Sequence, residues 1–259
     1  MLKVCRSLAL LIVLGLFCAA SAVPGGGGVL FQTSTLQALA NGVYDGDFTF
    51  RELRKHGDFG LGTLNGLDGE MIGLDGNFYQ IQADGKMRLV SDGEKTPFAE
   101  VTFFKAQKTL SLSKAVDCKQ LEKIISAALP TPNLPYAIRI EGKFFYVKAR
   151  SVPRQRQPYP PLTEAVKKQA IFELRQVPGI IVGFFHPPYL AGVNMAGYHF
   201  HFISADRRAG GHLLDCRLEQ GKASLEPLTD FQMRLPRQRE FAQTDLSGDK
   251  QKELEQAER

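Results

Sequence analysis

The chain has 259 residues, 44% of them hydrophobic, a formal net charge of +5 and four cysteines. So mild a charge argues against nucleic acid or an anionic membrane as partner, and so few cysteines exclude a disulfide-framework scaffold. The length permits one large domain or two small ones with a sizeable core.

Residues 1–22 have the form of an export signal. Lys3 and Arg6 precede "LALLIVLGLFCAA", an apolar run too short to span a bilayer comfortably, and Ala20-Ser21-Ala22 supplies the small residues of a cleavage site. Bulky Leu16 and Phe17 before Cys18 weaken a lipoprotein reading. The expected destination is the periplasm or the outside of the cell, with no membrane contact once the signal is removed. Residues 23–30, beginning "VPGGGG", read as a flexible tether.

Residues 31–160 read as a first, larger sub-domain of mixed sheet with helices. "STLQALANG" predicts a helix capped by Ser34 and stopped by Gly42, and "TFRELRKHG" another capped by Thr49 and stopped by Gly57. Asp-Gly then recurs at 68–69, 75–76, 84–85 and 92–93 between alternating apolar residues, which predicts a β-meander with tight primed turns. "EVTFFKAQKTLSLS" continues as strand, and "SKAVDCKQLEKIISAALP" is a helix ended by Pro130. "YAIRIEGKFFYVKARSV" reads as a hairpin turning at Glu141-Gly142, and the Pro- and Arg-rich 153–161 as the link between two halves.

Residues 161–259 read as a smaller, mainly antiparallel sub-domain, so the fold class is α/β (α+β). It opens with a helix, "LTEAVKKQAIFELRQVPG", runs on in strands, and closes with a polar helix capped by Ser247. Cys5 and Cys18 fall in the signal. Cys118 lies in a predicted helix and Cys216 in a predicted strand; both read as buried thiols, with a disulfide as the alternative.

Three of the five histidines fall within "GYHFHFISADRRAGGH". Strand alternation puts His199, His201 and Ile203 on one face and Tyr198, Phe200 and Phe202, a natural core layer, on the other. A hairpin centred near Arg207–Arg208 returns His212 opposite Ile203, diagonal to His201. Three imidazoles then converge from two adjacent strands, the donor set of a Zn²⁺ site with an open coordination position. The plain alternative is a polar strand face meeting water. Cys216 is too far along its strand to join them, and His186 in "FFHPPY" reads as structural.

Glu70 begins an otherwise apolar strand face after the Asp68-Gly69 turn, at a cavity rim or at a solvated strand end. Arg150 closes the face Phe144-Tyr146-Lys148-Arg150 and is shaped for a bidentate grip on a carboxylate, although surface arginines are common. Glu255 and Glu258 share a side of the terminal helix, by default a solvated one. "GLGTLNGLDG" lacks the Lys-Ser/Thr of a P-loop and serves as turn.

Taken together, "GTLNGLDGEMIGLDGNFYQI", "KARSVP" and "GYHFHFISADRRAGGH" resemble the zinc-dependent α-acetolactate decarboxylases, from about Phe31 to the C-terminus. The resemblance implies zinc on His199, His201 and His212, with Glu70, Arg150, Thr63 and Glu258 (Glu255 as the fallback) as catalytic residues. It also implies a homodimer and decarboxylation of 2-acetolactate, through a zinc-stabilised enediolate protonated to (R)-acetoin. The same residues would also serve an exported, non-catalytic metal-binding module or a metal-dependent hydrolase.

Overall fold

A computed structural model describes residues 27–248 and 250–258; the expected signal, and the tether as far as residue 26, lie outside the described residues. The strands in chain order are β1 (Gly28–Thr33), β2 (Phe48–Thr49), β3 (Phe59–Thr63), β4 (Glu70–Leu74), β5 (Asn77–Ile81), β6 (Met87–Leu89) and β7 (Lys95–Thr96). They continue with β8 (Ala99–Thr102), β9 (Lys108–Leu112), β10 (Val116–Asp117), β11 (Tyr136–Ser151), β12 (Ala170–His186), β13 (Gly197–Ser204) and β14 (Gly210–Arg234). The helices are α1 (Leu36–Ala40), α2 (Phe50–Leu53), α3 (Cys118–Ala128), α4 (Leu162–Ala165), α5 (Arg239–Gln243) and α6 (Gln251–Glu258).

The result is the expected mixed α/β fold, a large mixed sheet and a small antiparallel one, β2 with β7. The large sheet runs β11-β12-β13-β14-β1-β8-β3-β4-β5-β6. β11 also pairs with β14, so the four long strands close into a ribbon around Phe144, Phe202, Ile138 and Ile181. β1 joins β14 in parallel and hands the sheet on to the meander β3-β4-β5-β6. The histidines sit on β13 and β14, part of the large sheet. β1 starts at Gly28, so the last tether residues are already paired.

Local signals hold where the partners are close in sequence. Thr49 caps α2 in a full capping box with Glu52, and Asp117 caps α3 in the same way with Gln120. Asp75 and Gly76 are both at positive φ, as a type I′ turn requires. At the other three Asp-Gly steps the Asp is not at positive φ, so these are not primed turns.

Several expectations are corrected. Thr35, not Ser34, caps α1, because Ser34 sits at φ 65° and the Thr35 hydroxyl accepts from Ala38 N–H. Ser247 caps no helix; α6 starts at Gln251 and the Ser247 hydroxyl donates to Asp245. Glu141-Gly142 is no hairpin, since β11 runs straight through it. Gly142 lies beside Gly179 on β12 and Gly221 on β14. A side chain at Gly142 would meet the Gln220 carbonyl at 2.4 Å, so this glycine serves close strand contact rather than a turn. The helix expected from Leu162 stops after one turn and a short 3-10 segment, and the chain becomes β12 at Ala170. There the ladder to β11, from Ala170 to Phe185, overrides local helix propensity.

Cys118 and Cys216 form a disulfide, not the expected pair of thiols, with Cα atoms 5.1 Å apart. It ties the first turn of α3 to β14. Spanning 98 residues, such a closure stabilises the fold by about 4–5 kcal/mol in the chain-entropy account.

Candidate metal centre

Two glycines set the register that gathers the histidines. Gly210 and Gly211 open β14 against both neighbours, and a Cβ on them would lie 2.5 Å from the Phe202 carbonyl and 2.3 Å from the Arg150 carbonyl. Their bareness lets β14 wedge between β13 and β11. His212 therefore stands directly opposite His201 on one side and Arg150 on the other. The sequence reading placed His212 opposite Ile203; in fact Gly210 takes that position, because the turn is two residues tighter than its assumed centre implied. His199 and His201 share a face as expected, and Phe200 and Phe202 face the core.

The three imidazoles are buried, and their ligand nitrogens all lie within 4.8 Å of one another. Two of the three have their outer nitrogen held. His201 Nδ1 lies 2.9 Å from the Met71 carbonyl, and His212 Nε2 lies 2.7 Å from the Glu258 carbonyl. A carbonyl only accepts, so each of these nitrogens carries the hydrogen and the opposite one turns a lone pair inward. Burial pushes all three pKa values down, those of His201 and His212 well below the ordinary imidazole value, which favours the neutral, donating form. Three neutral nitrogen donors in a buried cluster fit Zn²⁺ or another imidazole-binding divalent ion.

Two carboxylates and a guanidinium complete the centre. Glu70 is buried, with Oε2 3.5 Å from His201 Nε2. Burial, opposed by Arg150 and reinforced by Glu258, pushes its pKa up to about 8. It is no solvated strand end. Glu258 Oε2 lies 3.4 Å from His212 Nδ1, 3.8 Å from His199 Nε2 and 3.0 Å from Arg150 Nη2. Arg150, 3% exposed, also donates through Nη1 to the Ala257 carbonyl and to Gln169 Oε1 at 3.2 Å, and its buried Nε has no hydrogen-bond partner. Thr63, opposite Glu70 in the ladder, donates its hydroxyl to the Gly69 carbonyl at 2.6 Å.

Glu258 arrives by packing. α6 lays Leu254 and Ala257 into a cluster with Leu36 and Leu39 of α1 and Leu162 of α4. Residues three and four apart share a helix side, so Glu258 follows Leu254 inward. Glu255 stays half-exposed, bonded to Gln251, and does not enter the site.

Thr63, Glu70, Arg150, His199, His201 and Glu258 line one cavity of about 30 Å³, walled on its apolar side by Leu36, Leu67, Phe98, Val152 and others. That volume is comparable to one water. The sequence reading missed two buried residues behind it, Glu100 on β8 and Asn194. The one available signal was a carboxylate inside "FAEVTFF", flanked on both sides by apolar strand residues. His186, expected to be structural, is fully buried with Nε2 2.8 Å from Glu100.

A buried three-histidine centre with two acids and an arginine in a mixed-sheet fold defines a protein able to hold a divalent ion beside proton-handling groups. The sequence model of the alpha-acetolactate decarboxylase family matches residues 30–248, all of the described fold except its first residues and α6. The chain is 48% identical over 231 residues to the alpha-acetolactate decarboxylase of Methanosarcina mazei, covering 89% of this chain and 80% of that one. It is 44% identical to that of Methylococcus capsulatus, covering 88% of each. The crystal structure of alpha-acetolactate decarboxylase from Bacillus subtilis superposes with a TM-score of 0.87 at 42% identity, over 89% of this chain and 99% of that one. The chain belongs to the alpha-acetolactate decarboxylase family and is a decarboxylase.

Proposed function

We propose that the protein converts 2-acetolactate into acetoin and CO₂ with a zinc ion held by His199, His201 and His212. The carrying observation is that the clustered imidazole trio borders a small cavity, with His199 and His201 lining it beside Glu70, Arg150 and Glu258 and with His212 Nδ1 3.4 Å from the Glu258 carboxylate. A metal-binding module would not need Glu70 or Arg150 near the metal. Once bound, zinc supplies a Lewis acid that polarises the substrate ketone and eases acceptance of the electron pair released with CO₂.

The chain's own residues divide the remaining work. The Nε–H of Arg150 and the second hydrogen on its Nη2 are the donors left for the substrate carboxylate, and its charge offsets the enediolate that forms when the carbon–carbon bond breaks. Glu258 and Gln169 hold the guanidinium in place. Glu70, whose burial favours the protonated acid, is the group assigned to deliver a proton to the enediolate carbon. A fixed acid reaches one face only, which supports a single enantiomer of acetoin, the (R) form by the family resemblance. Thr63 has its hydrogen committed to Gly69, so its oxygen is left to accept from the substrate hydroxyl. Glu258 balances the charge of the centre from its inner side.

Export and homodimerisation belong to the same proposal. The disulfide supports an oxidising compartment. The partly exposed apolar side chains of Phe231, Met233 and Leu235 support a face covered by a second copy.

Acetoin release from purified protein and acetolactate tests the central reading. Acetoin should form, disappear with a chelator and return with zinc. His201→Ala should lower kcat/KM by about 10³-fold or more, the scale of several kcal/mol of Lewis-acid stabilisation. Turnover that ignores the chelator, or that survives His201→Ala, would remove the metal from the mechanism.

A further inference from the structure

Two of the three histidines turn their outer nitrogen to a backbone carbonyl, Met71 for His201 and Glu258 for His212. His199 does not. Its Nδ1 faces a carboxylate oxygen, Glu100 Oε1, at 3.7 Å. Both atoms are buried and neither has a hydrogen-bond partner. A buried donor and a buried acceptor left facing each other are costly apart, and a closure of under about 1 Å joins them in a hydrogen bond of ordinary length.

Glu100 is itself held from behind. Its other oxygen, Oε2, accepts from Asn194 Nδ2 at 2.8 Å and lies 2.8 Å from His186 Nε2. The Asn194 amide also donates to Gln32 Oε1 at 2.8 Å, and its own carbonyl oxygen accepts from Met195 N–H at 2.7 Å. Gln32 in turn donates to the Ser34 and Val193 carbonyls at 2.8 and 2.9 Å. Glu100, His186, Asn194 and Gln32 are all buried, and none of them lines the cavity. So much buried polarity, gathered from three strands and a loop, costs stability unless it is organised for a purpose.

We propose that Glu100 is the positioning residue of the metal centre: it fixes the His199 ring, places its hydrogen on Nδ1 and leaves Nε2 as the metal donor, while Asn194 holds Glu100 in place. A carboxylate as outer partner makes His199 the most basic donor of the three, with the two carbonyl-backed rings weaker. The inference rests on the reading of His199, His201 and His212 as metal ligands, and it adds a residue outside the cavity on which that reading places no demand.

Two measurements test it. Zinc affinity is read by competition with a chromophoric chelator, in wild type and in Glu100→Gln. Loss of such an outer partner weakens binding by about 10–100-fold, and that is the expected change. Independently, imidazole-nitrogen NMR of the isotope-labelled wild type should show His199 with its hydrogen on Nδ1, both with and without zinc. In Glu100→Gln that proton signal should shift and exchange faster. Asn194→Ala, which keeps the carboxylate but frees its anchor, should move both readings the same way by less.

Equal zinc affinity in wild type and Glu100→Gln, even with a lowered Tm, would reduce Glu100 to a packing role and overturn the proposal. So would a His199 whose hydrogen sits on Nε2. If Glu100→Gln fails to fold, the wild-type NMR decides alone. A wild type that binds no zinc while His199 carries its hydrogen on Nδ1 would sink the metal reading and leave the Glu100–His199 contact standing.

Discussion

The meander β3–β5 and the ribbon β11–β14 both deliver residues to the centre, by opposite means. In the meander, strands of five residues are joined by short turns and pair in sequence order, with β3 also pairing with β8. It delivers Thr63 and Glu70 from facing ladder positions. In the ribbon, strands of 16, 17, 8 and 25 residues pair across long stretches of chain, and a disulfide spanning 98 residues clamps one of them to α3. It delivers Arg150 and the three histidines. The meander's geometry is set by turn chemistry, the ribbon's by which distant strand each residue meets. The acid and the metal donors therefore rest on supports that fail in different ways.

Substitutions can separate the two. The largest effect is expected at the acid. Glu70→Gln should lower kcat by about 10²–10⁴-fold, the usual contribution of a positioned proton donor, while zinc affinity stays near wild type. A matching loss of zinc would instead make Glu70 part of the metal's hold and blur the division between the two regions.

Next comes the ribbon's clamp. Replacing Cys118 and Cys216 together with serine should cost about 2–5 kcal/mol in denaturant unfolding. Because Cys216 is on the same strand as His212, activity should fall at temperatures where the wild type is still folded. Unchanged stability would mean that the ribbon is held by its ladders alone.

The meander should respond less. Gly76 sits at φ 78° beside Asp75 at 51°, so Gly76→Ala should cost about 1–2 kcal/mol, read from the shift in the unfolding midpoint.

The smallest effect is a slope with pH. Glu226, on β14 and away from the metal centre, is buried, and burial raises its pKa to about 7 against an ordinary value of 4.5. A group that holds its proton more tightly when folded favours the fold at low pH. That contribution is complete below about pH 4.5 and fades as pH rises through about 7. Glu226→Gln should flatten this part of the stability profile; an unchanged slope would place its origin elsewhere.

Legibility followed the same division. Thr49 as a cap, the turn at Asp75-Gly76 and the shared face of His199 and His201 all depend on residues a few positions apart, and the sequence shows them. The family resemblance added Arg150, Thr63 and Glu258, which residue spacing leaves as ordinary surface or turn residues. Glu141-Gly142 looks like a turn because a glycine that admits a neighbouring backbone resembles a glycine that bends its own. The stretch from Leu162 looks helical because nothing local reveals the β11 ladder that straightens it.

What the sequence determined by itself is the inventory and the alternation: three imidazoles near one another in the chain, two of them fixed to one face by the two-residue repeat of a strand. What only the tertiary structure decided is which atoms those imidazoles meet. The Arg150–His212 pairing, the descent of Glu258 on the apolar face of α6, the disulfide and the Glu100 carboxylate behind His199 all join segments far apart in the chain. Such contacts form because buried apolar area and closed ladders outweigh the entropy of bringing distant segments together. That balance belongs to the whole fold, and no short window of residues contains it.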